Sequence, residues 1–135
     1  MFHSINSAKK SLGQHFLHDG KVLSKIVKAA KVTETDHILE IGPGKGHLTK
    51  KLLLQGCSVT AIELDHDLIN GPLKDIALSP KLEIVEGDAR TVDLKNFMAN
   101  TTEFKLVANL PYNAGTHILR TILLSDLPPQ LSVVM

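Results

Sequence analysis

The chain has one cysteine, Cys57, so no disulfide can form within it. It has a single tyrosine, Tyr112. No apolar run approaches the roughly 18 residues of a membrane-spanning helix. The first residues, Met-Phe-His-Ser-Ile-Asn, lack the basic-then-apolar order of a secretory signal. No internal repeat and no low-complexity stretch is present. These absences exclude a disulfide scaffold, a helical membrane span and a repeat array. They suit a reducing, cytoplasmic compartment. What remains is 135 residues, 43% hydrophobic and 21% charged. That is one soluble domain, long enough to bury a real core.

The formal net charge is only +1, but it is uneven. Residues 1–51 hold nine lysines against four acids, and residues 52–135 hold six Lys or Arg against ten acids. A basic N-terminal part suits contact with phosphates, and Lys9 and Lys10 are candidates for RNA contact. The same lysines also suit a solvated helix face.

Apolar positions Val22, Leu23, Ile26, Val27, Ala29 and Ala30 recur at helical spacing, which predicts a helix over 21–32. Short apolar runs at 37–41, 58–63, 81–86, 104–108 and 131–135 predict five strands. Helices are expected at 46–55, closed by Gly56, at 67–78 with Gly71-Pro72 delaying the start, near 94–100, and at 116–124. Apolar strands alternating with helices imply an α/β fold with a doubly wound, mainly parallel sheet, covered on both faces. Ligands of such sheets bind outside the carboxyl ends of the strands.

Every motif of chemical interest falls at such an end. Glu40-Ile-Gly-Pro-Gly-Lys-Gly46 joins the first strand to its helix. Glycines at alternate positions let the backbone turn tightly and let a ligand approach. The next helix adds free N–H groups. A dinucleotide fingerprint would read Gly-x-Gly-x-x-Gly. Here the third glycine comes one residue early and an acid precedes the first. A carboxylate is awkward beside pyrophosphate and comfortable beside a cation. Glu63 closes the second strand about twenty residues on, where a carboxylate grips ribose hydroxyls. Asp88 follows the third strand, within reach of a base amino group. Together these features describe a cofactor that contains adenosine but no phosphates. S-adenosyl-L-methionine fits, with its ribose, its adenine and its cationic sulfonium.

The fourth strand delivers Asn109-Leu-Pro-Tyr112 to the same rim. An exocyclic amine on a base is a poor nucleophile, because its lone pair is delocalised. The Asn109 side-chain oxygen and the Leu110 carbonyl, placed around its N–H groups, would favour a tetrahedral nitrogen. Pro111 fixes the backbone and brings no competing N–H. Tyr112 offers a flat face to an unstacked base. An Asn-Pro turn with a packed tyrosine is the plainer alternative. The seven histidines show no metal-ligand spacing, and Cys57 reads as a small buried residue.

With these motifs in order the sequence resembles the ribosomal RNA adenine N6-dimethyltransferases. These are the KsgA-type small-subunit enzymes, with Erm-type methylases as relatives. The resemblance rests on Ser11-Leu-Gly-Gln-His-Phe-Leu17, Glu40 to Gly46, Ala61-Ile-Glu-Leu-Asp65, Gly87-Asp-Ala89 and Asn109-Leu-Pro-Tyr-Asn113. It implies a class I, Rossmann-like methyltransferase fold, with residues 1–20 as a segment over the cofactor. His15 and Leu17 would lie in that segment. Gly42 and Gly44 would line the methionine part, Glu63 would hold the ribose, and Asp88 would bind the adenine amino group. Asn109 would serve both cofactor and target amine, with Leu110, Pro111 and Tyr112 completing the catalytic loop. The partner implied is ribosomal RNA of the small subunit, dimethylated at two adjacent adenines.

Two departures stand out. Asn113-Ala-Gly-Thr116 replaces the familiar Asn-Ile-Ser-Thr. The family's further strands, its second aromatic and its small helical RNA-gripping domain are not in these 135 residues. The expectation is therefore a catalytic domain alone, able to bind cofactor, with its sheet incomplete at the C-terminal edge and efficient dimethylation put in question. It would be a monomer, with self-association through that edge as its hazard. Three alternatives stay open: an Erm-type large-subunit enzyme, a non-catalytic RNA-binding or assembly factor, and a nicotinamide-dependent oxidoreductase, which the glycine spacing disfavours.

Overall fold

The computed structural model describes residues 20–96, 103–110, 112–125 and 129–134. Five parallel strands form one sheet: β1 (His37–Ile41), β2 (Ser58–Glu63), β3 (Leu82–Glu86), β4 (Lys105–Ala108) and β5 (Leu131–Val134). Their order is β3-β2-β1-β4-β5, so the chain winds outward one way from β1 and then the other. β1 lies between β2 and β4, and its two sides set the switch point of the sheet.

The helices are α1 (Gly20–Ala29), α2 (His47–Leu54), α3 (His66–Asn70), α4 (Pro72–Ile76) and α5 (Tyr112–Leu123). A 3₁₀ turn spans Leu94–Asn96. Successive strand residues face opposite ways, so each strand feeds two cores. Ile38, Val59, Ala61 and Val107 pack with Leu23 and Ile26 of α1 and Leu48 and Leu52 of α2. Leu39, Ile41, Ile62 and Leu106 pack with Phe104 and with Ile118 and Ile122 of α5. Each such Leu or Ile contributes about 1.5–3 kcal/mol of burial. Two-sided burial is why the central strands read as short, mainly apolar runs.

Three expected helices differ from those found. The stretch 67–78 does not form one delayed helix. It starts early, at His66, where the Asp65 carboxylate caps the N–H of Asp67 at 2.9 Å. It then breaks at Gly71, and Pro72 opens α4. Proline lacks the N–H that would continue the first helix and suits the first turn of the second. The last helix starts at Tyr112 rather than at 116. Gly115 is no breaker there. A Cβ on it would make ordinary contact with Val134 at 3.5 Å and Leu110 at 3.7 Å, which places this turn of α5 beside β5 and the loop after β4. The expected helix over 94–100 reduces to the 3₁₀ turn within the described residues. Among the described residues no helix is long and apolar enough to cross a membrane.

Candidate functional site

The ladder hydrogen bonds run on past the strand ends. The Gly42 N–H donates to the Ile62 carbonyl and the Gly87 N–H to the Glu63 carbonyl, both at 2.9 Å. The loops after β1, β2 and β3 therefore leave the sheet side by side. The strand register puts Ala108 beside Ile41, which brings Asn109 and Leu110 out next to Gly42.

Gly42, Gly44 and Gly46 all adopt left-handed backbone, with φ of 66°, 59° and 88°. Their surroundings differ. A Cβ on Gly42 would sit 3.0 Å from Leu110, so the glycine loop and the loop after β4 are in contact. A Cβ on Gly46 would meet Ile76 and Leu73 of α4. A Cβ on Gly44 would meet nothing within 4 Å. Only Gly44 leaves open space where a ligand could approach the backbone.

Glu63 is 7% exposed, and each of its carboxylate oxygens accepts a backbone N–H: Gly44 on Oε1 at 3.1 Å, Asp65 on Oε2 at 2.9 Å. The carboxylate is thus fixed between the glycine loop and the start of α3. Each oxygen keeps a lone pair for a further donor. Glu40 is more deeply buried, at 1% exposure. Thr49 of α2 donates its hydroxyl to Glu40 Oε1 at 2.5 Å. Burial pushes the Glu40 carboxyl up to about 8; the Thr49 hydrogen bond opposes this and repulsion from Glu63 adds to it. Glu40 is therefore mostly protonated at neutral pH.

Asp88 is held by Arg90, a residue the sequence reading did not single out. The Arg90 backbone N–H and Nε donate to Oδ1 at 2.9 and 3.0 Å, and Nε and Nη2 reach Oδ2 at 3.1 and 2.6 Å. The Arg90 side chain and backbone hold the Asp88 carboxyl down at about 2. Beside it, His66 shares a hydrogen bond with Glu86 at 2.7 Å, and that bond raises the imidazole above its ordinary value.

Asn109 follows β4, and its Nδ2 is the one buried side-chain nitrogen or oxygen among the described residues without a hydrogen-bond partner. Buried donors are rarely left so. Of the other expected site residues, Leu110 lies against Gly42. Tyr112 begins α5, with its side chain outside the described set. His15, Leu17 and Pro111, and also Lys9 and Lys10, lie outside the described residues. The structure therefore brings Gly42, Gly44, Glu63, Asp88, Asn109 and Leu110 to one rim. Thr49 and Arg90 are the polar partners missed. Neither sits in a motif, and each acts only through an acid already identified.

The sheet and its glycine-bearing rim have the fold of the S-adenosylmethionine-dependent methyltransferases. Residues 5–135 match the family described as ribosomal RNA adenine dimethylase. The chain belongs to that family. It is 42% identical to the ribosomal RNA small subunit methyltransferase A of Pediococcus pentosaceus, over 96% of this chain and 45% of the relative. It is 38% identical to the protein of that name from Dehalococcoides mccartyi, over 95% of this chain and 44% of the relative. It spans less than half the length of these relatives. Among solved structures, the 23S rRNA methyltransferase ErmE matches with a TM-score of 0.71 and 26% identity, over 86% of this chain and 46% of its own. A dimethyladenosine transferase from Plasmodium falciparum matches at 0.70 and 32%, over 86% of this chain and 41% of its own. An RNA methyltransferase from Salinibacter ruber, in complex with S-adenosyl-L-homocysteine, matches at 0.60 and 25%, over 77% and 66%.

Proposed function

We propose that this chain is the cofactor-binding, catalytic part of an S-adenosylmethionine-dependent enzyme. Its reaction is N6-dimethylation of two adjacent adenines in small-subunit ribosomal RNA, in the cytoplasm. The observation that carries the reading is the unpartnered Asn109 amide, next to the Gly42–Leu110 contact and along the rim from Glu63. A buried amide with unmet hydrogen-bonding capacity fits a residue whose partner is a ligand. The open space at Gly44 fits the same ligand.

S-adenosylmethionine, when bound, supplies an electrophilic methyl group. This chain's residues bind and orient. Glu63, with a spare lone pair on each oxygen, accepts from ribose hydroxyls. Asp88 accepts from the adenine amino group. Glu40 sets a latent negative charge behind the glycine loop. The Asn109 side-chain oxygen and the Leu110 carbonyl accept N–H from the target amine and localise its lone pair. Pro111 shapes that loop and Tyr112 stacks on the extruded base, while His15 and Leu17 cover the cofactor. Positioning and electrostatics supply most of the rate, because the amine needs no strong base before transfer.

The small-subunit target is preferred because relatives at 38–42% identity carry that name, whereas ErmE stands at 26%. The test is methyl transfer from labelled S-adenosylmethionine to unmodified 30S and 50S subunits. Label in the 30S RNA is expected. Label in the 50S RNA alone would favour the Erm-type alternative, and cofactor binding without transfer the non-catalytic one. Asn109→Ala should cost roughly 10²–10³-fold in transfer rate. An unchanged rate would show that the amine is oriented by something else.

A further inference from the structure

The end of the sheet opposite this rim carries a second feature. α1 and α2 both run from the carboxyl ends of the strands toward their amino ends, and they pack side by side. Between their C-terminal ends lies a groove of about 450 Å³, lined by Ser24, Val27, Lys28, Lys31, Lys51 and Leu54 among others. α2 has eight residues, so the groove lies about 12 Å from the glycine loop along the helix axis.

Three lysines and no acid line this groove. No ion pair joins Lys28, Lys31 or Lys51 to another described residue. Of the two acids in the flanking turn, one is already engaged. Asp36 accepts from Lys105 Nζ and from the Thr33 N–H, both at 2.8 Å. Lys105 Nζ also donates to the Lys31 carbonyl at 2.8 Å. That bond ties down Lys31, whose backbone is left-handed at φ 49°. Glu34 lies beyond, with its Cβ near Gly56, and is not part of the lining. The groove wall is thus tethered, and among the described residues no acid pairs with its ammonium groups. Half-buried Val27 and Val32 supply its apolar lining, and Leu54 stands 81% exposed at its edge.

We propose that this groove is a second RNA contact, in which Lys28, Lys31 and Lys51 meet phosphates of a strand whose target adenine lies at the other end of the sheet. The inference rests on the RNA-substrate reading above. Residues 1–51 contain no arginine, so the positive charge there is carried by lysine alone. Lysine is a compact point charge that suits phosphate, whereas paired carboxylates favour the planar arginine fork. No aromatic lines the groove, so no base is read or stacked there. The contact is therefore independent of sequence and strongly salt-dependent.

The test compares the full chain with a triple variant, Lys28→Gln, Lys31→Asn and Lys51→Gln. Asn suits the left-handed position of Lys31. Binding of a labelled single-stranded RNA is followed by fluorescence anisotropy across a salt series. S-adenosylmethionine binding, measured by calorimetry on both proteins, reports the fold and the reaction site. The triple variant should lose at least tenfold in RNA affinity. Its log–log salt slope should fall by about 2, from three contacts at 0.7 each. Cofactor affinity should be unchanged. A Lys74→Gln and Arg120→Gln control on other helices should alter the slope by less. Equal affinity and slope in variant and parent would overturn the proposal. Where both proteins still bind cofactor and RNA, that result leaves the proposed function standing. A parent that binds RNA through these lysines but no cofactor would overturn the function and keep the groove.

Discussion

Arg90 makes four contacts to the Asp88 carboxylate and engages both of its oxygens. Nε–H is one donor shared between the two oxygens, so three N–H groups occupy most of the carboxylate's roughly four lone-pair sites. An adenine amino group would compete with Arg90 for the rest. Arg90→Ala should therefore tighten S-adenosylmethionine binding a few-fold, while Asp88→Asn should weaken it; calorimetry reads both. A weaker Arg90→Ala complex would mean that Arg90 positions Asp88 instead of competing for it. The pH dependence has a definite sign. The Asp88 carboxyl is lowered from 3.8 to about 2, so whatever stability it lends is present above pH 3.8 and is lost as pH falls toward 2. Arg90→Ala should largely abolish that loss, because the folded and unfolded carboxyl then titrate nearly alike.

Glu40 behaves in the opposite way. Its folded-state value is raised from 4.5 to about 8, so between those limits the folded chain binds the extra proton. Stability then falls as pH rises through that window, with a slope approaching about 1.4 kcal/mol per pH unit. Glu40→Gln keeps an oxygen for the Thr49 hydroxyl and removes the ionisation. In thermal melts it should match the parent near pH 4.5 and exceed it near pH 8. A cationic ligand favours the ionised form, so S-adenosylmethionine binding at pH 7 should release close to one proton from the parent and none from Glu40→Gln. Calorimetry in two buffers of different ionisation enthalpy measures this. Equal proton release from the two proteins would remove Glu40 from the binding reaction.

The strands and the rim were legible in the sequence because a two-sided sheet leaves a plain trace. Ile38 and Leu39 are both buried, on opposite faces, so β1 reads as one apolar run ending at a glycine. The acids at the strand ends stand out for the same reason. Partnerships that cross such runs leave no periodic trace. Thr49 reaches Glu40 from the third residue of α2, and nothing in either neighbourhood marks the pair. Arg90 follows Asp88 by two residues, and only the loop's geometry turns its side chain back. The start of α5 was less legible, because helix propensity is local whereas the contacts of its first turns with Leu110 and Val134 are not.

Gly44 and Gly46 separate binding from stability. Both are left-handed, which costs an alanine about 1–2 kcal/mol at either position. At Gly46 the added methyl also lies 3.0 Å from Leu73 Cδ2 and pushes on Ile76. Gly46→Ala should lose about 2–3 kcal/mol in denaturant unfolding. Gly44→Ala should lose only the backbone share, near 1 kcal/mol, because no neighbour is within 4 Å. Its methyl instead takes up the open space of the cradle, so it should weaken S-adenosylmethionine binding at least tenfold. If Gly44→Ala bound cofactor as tightly as the parent, the cofactor would have to lie elsewhere on the rim.

Lys105 joins three parts of the chain at the amino ends of the strands. Its Nζ donates at 2.8 Å to the Asp36 carboxylate and to the Lys31 carbonyl, and it stands on β4 beside Ile38 of β1. Side-chain exposures of 12% and 17% make the Lys105–Asp36 pair a largely buried one. Burial alone would raise the Asp36 carboxyl, but the hydrogen bonds from Lys105 and Thr33 outweigh it and the net shift is down. Lys105→Met fills the same space and leaves Asp36 charged, half-satisfied and shielded from water. Breaking a pair of this burial should cost about 2 kcal/mol, between the values for exposed and fully buried pairs. The cost should be largest at neutral pH and shrink below pH 3.8, where Asp36 takes up a proton and needs no partner. The double variant Lys105→Met with Asp36→Asn should recover part of the loss. Chemical denaturation of the four proteins at pH 7 and pH 3.5 closes the cycle. Equal losses at the two pH values would mean that Lys105 acts through its tether to Lys31 rather than through charge.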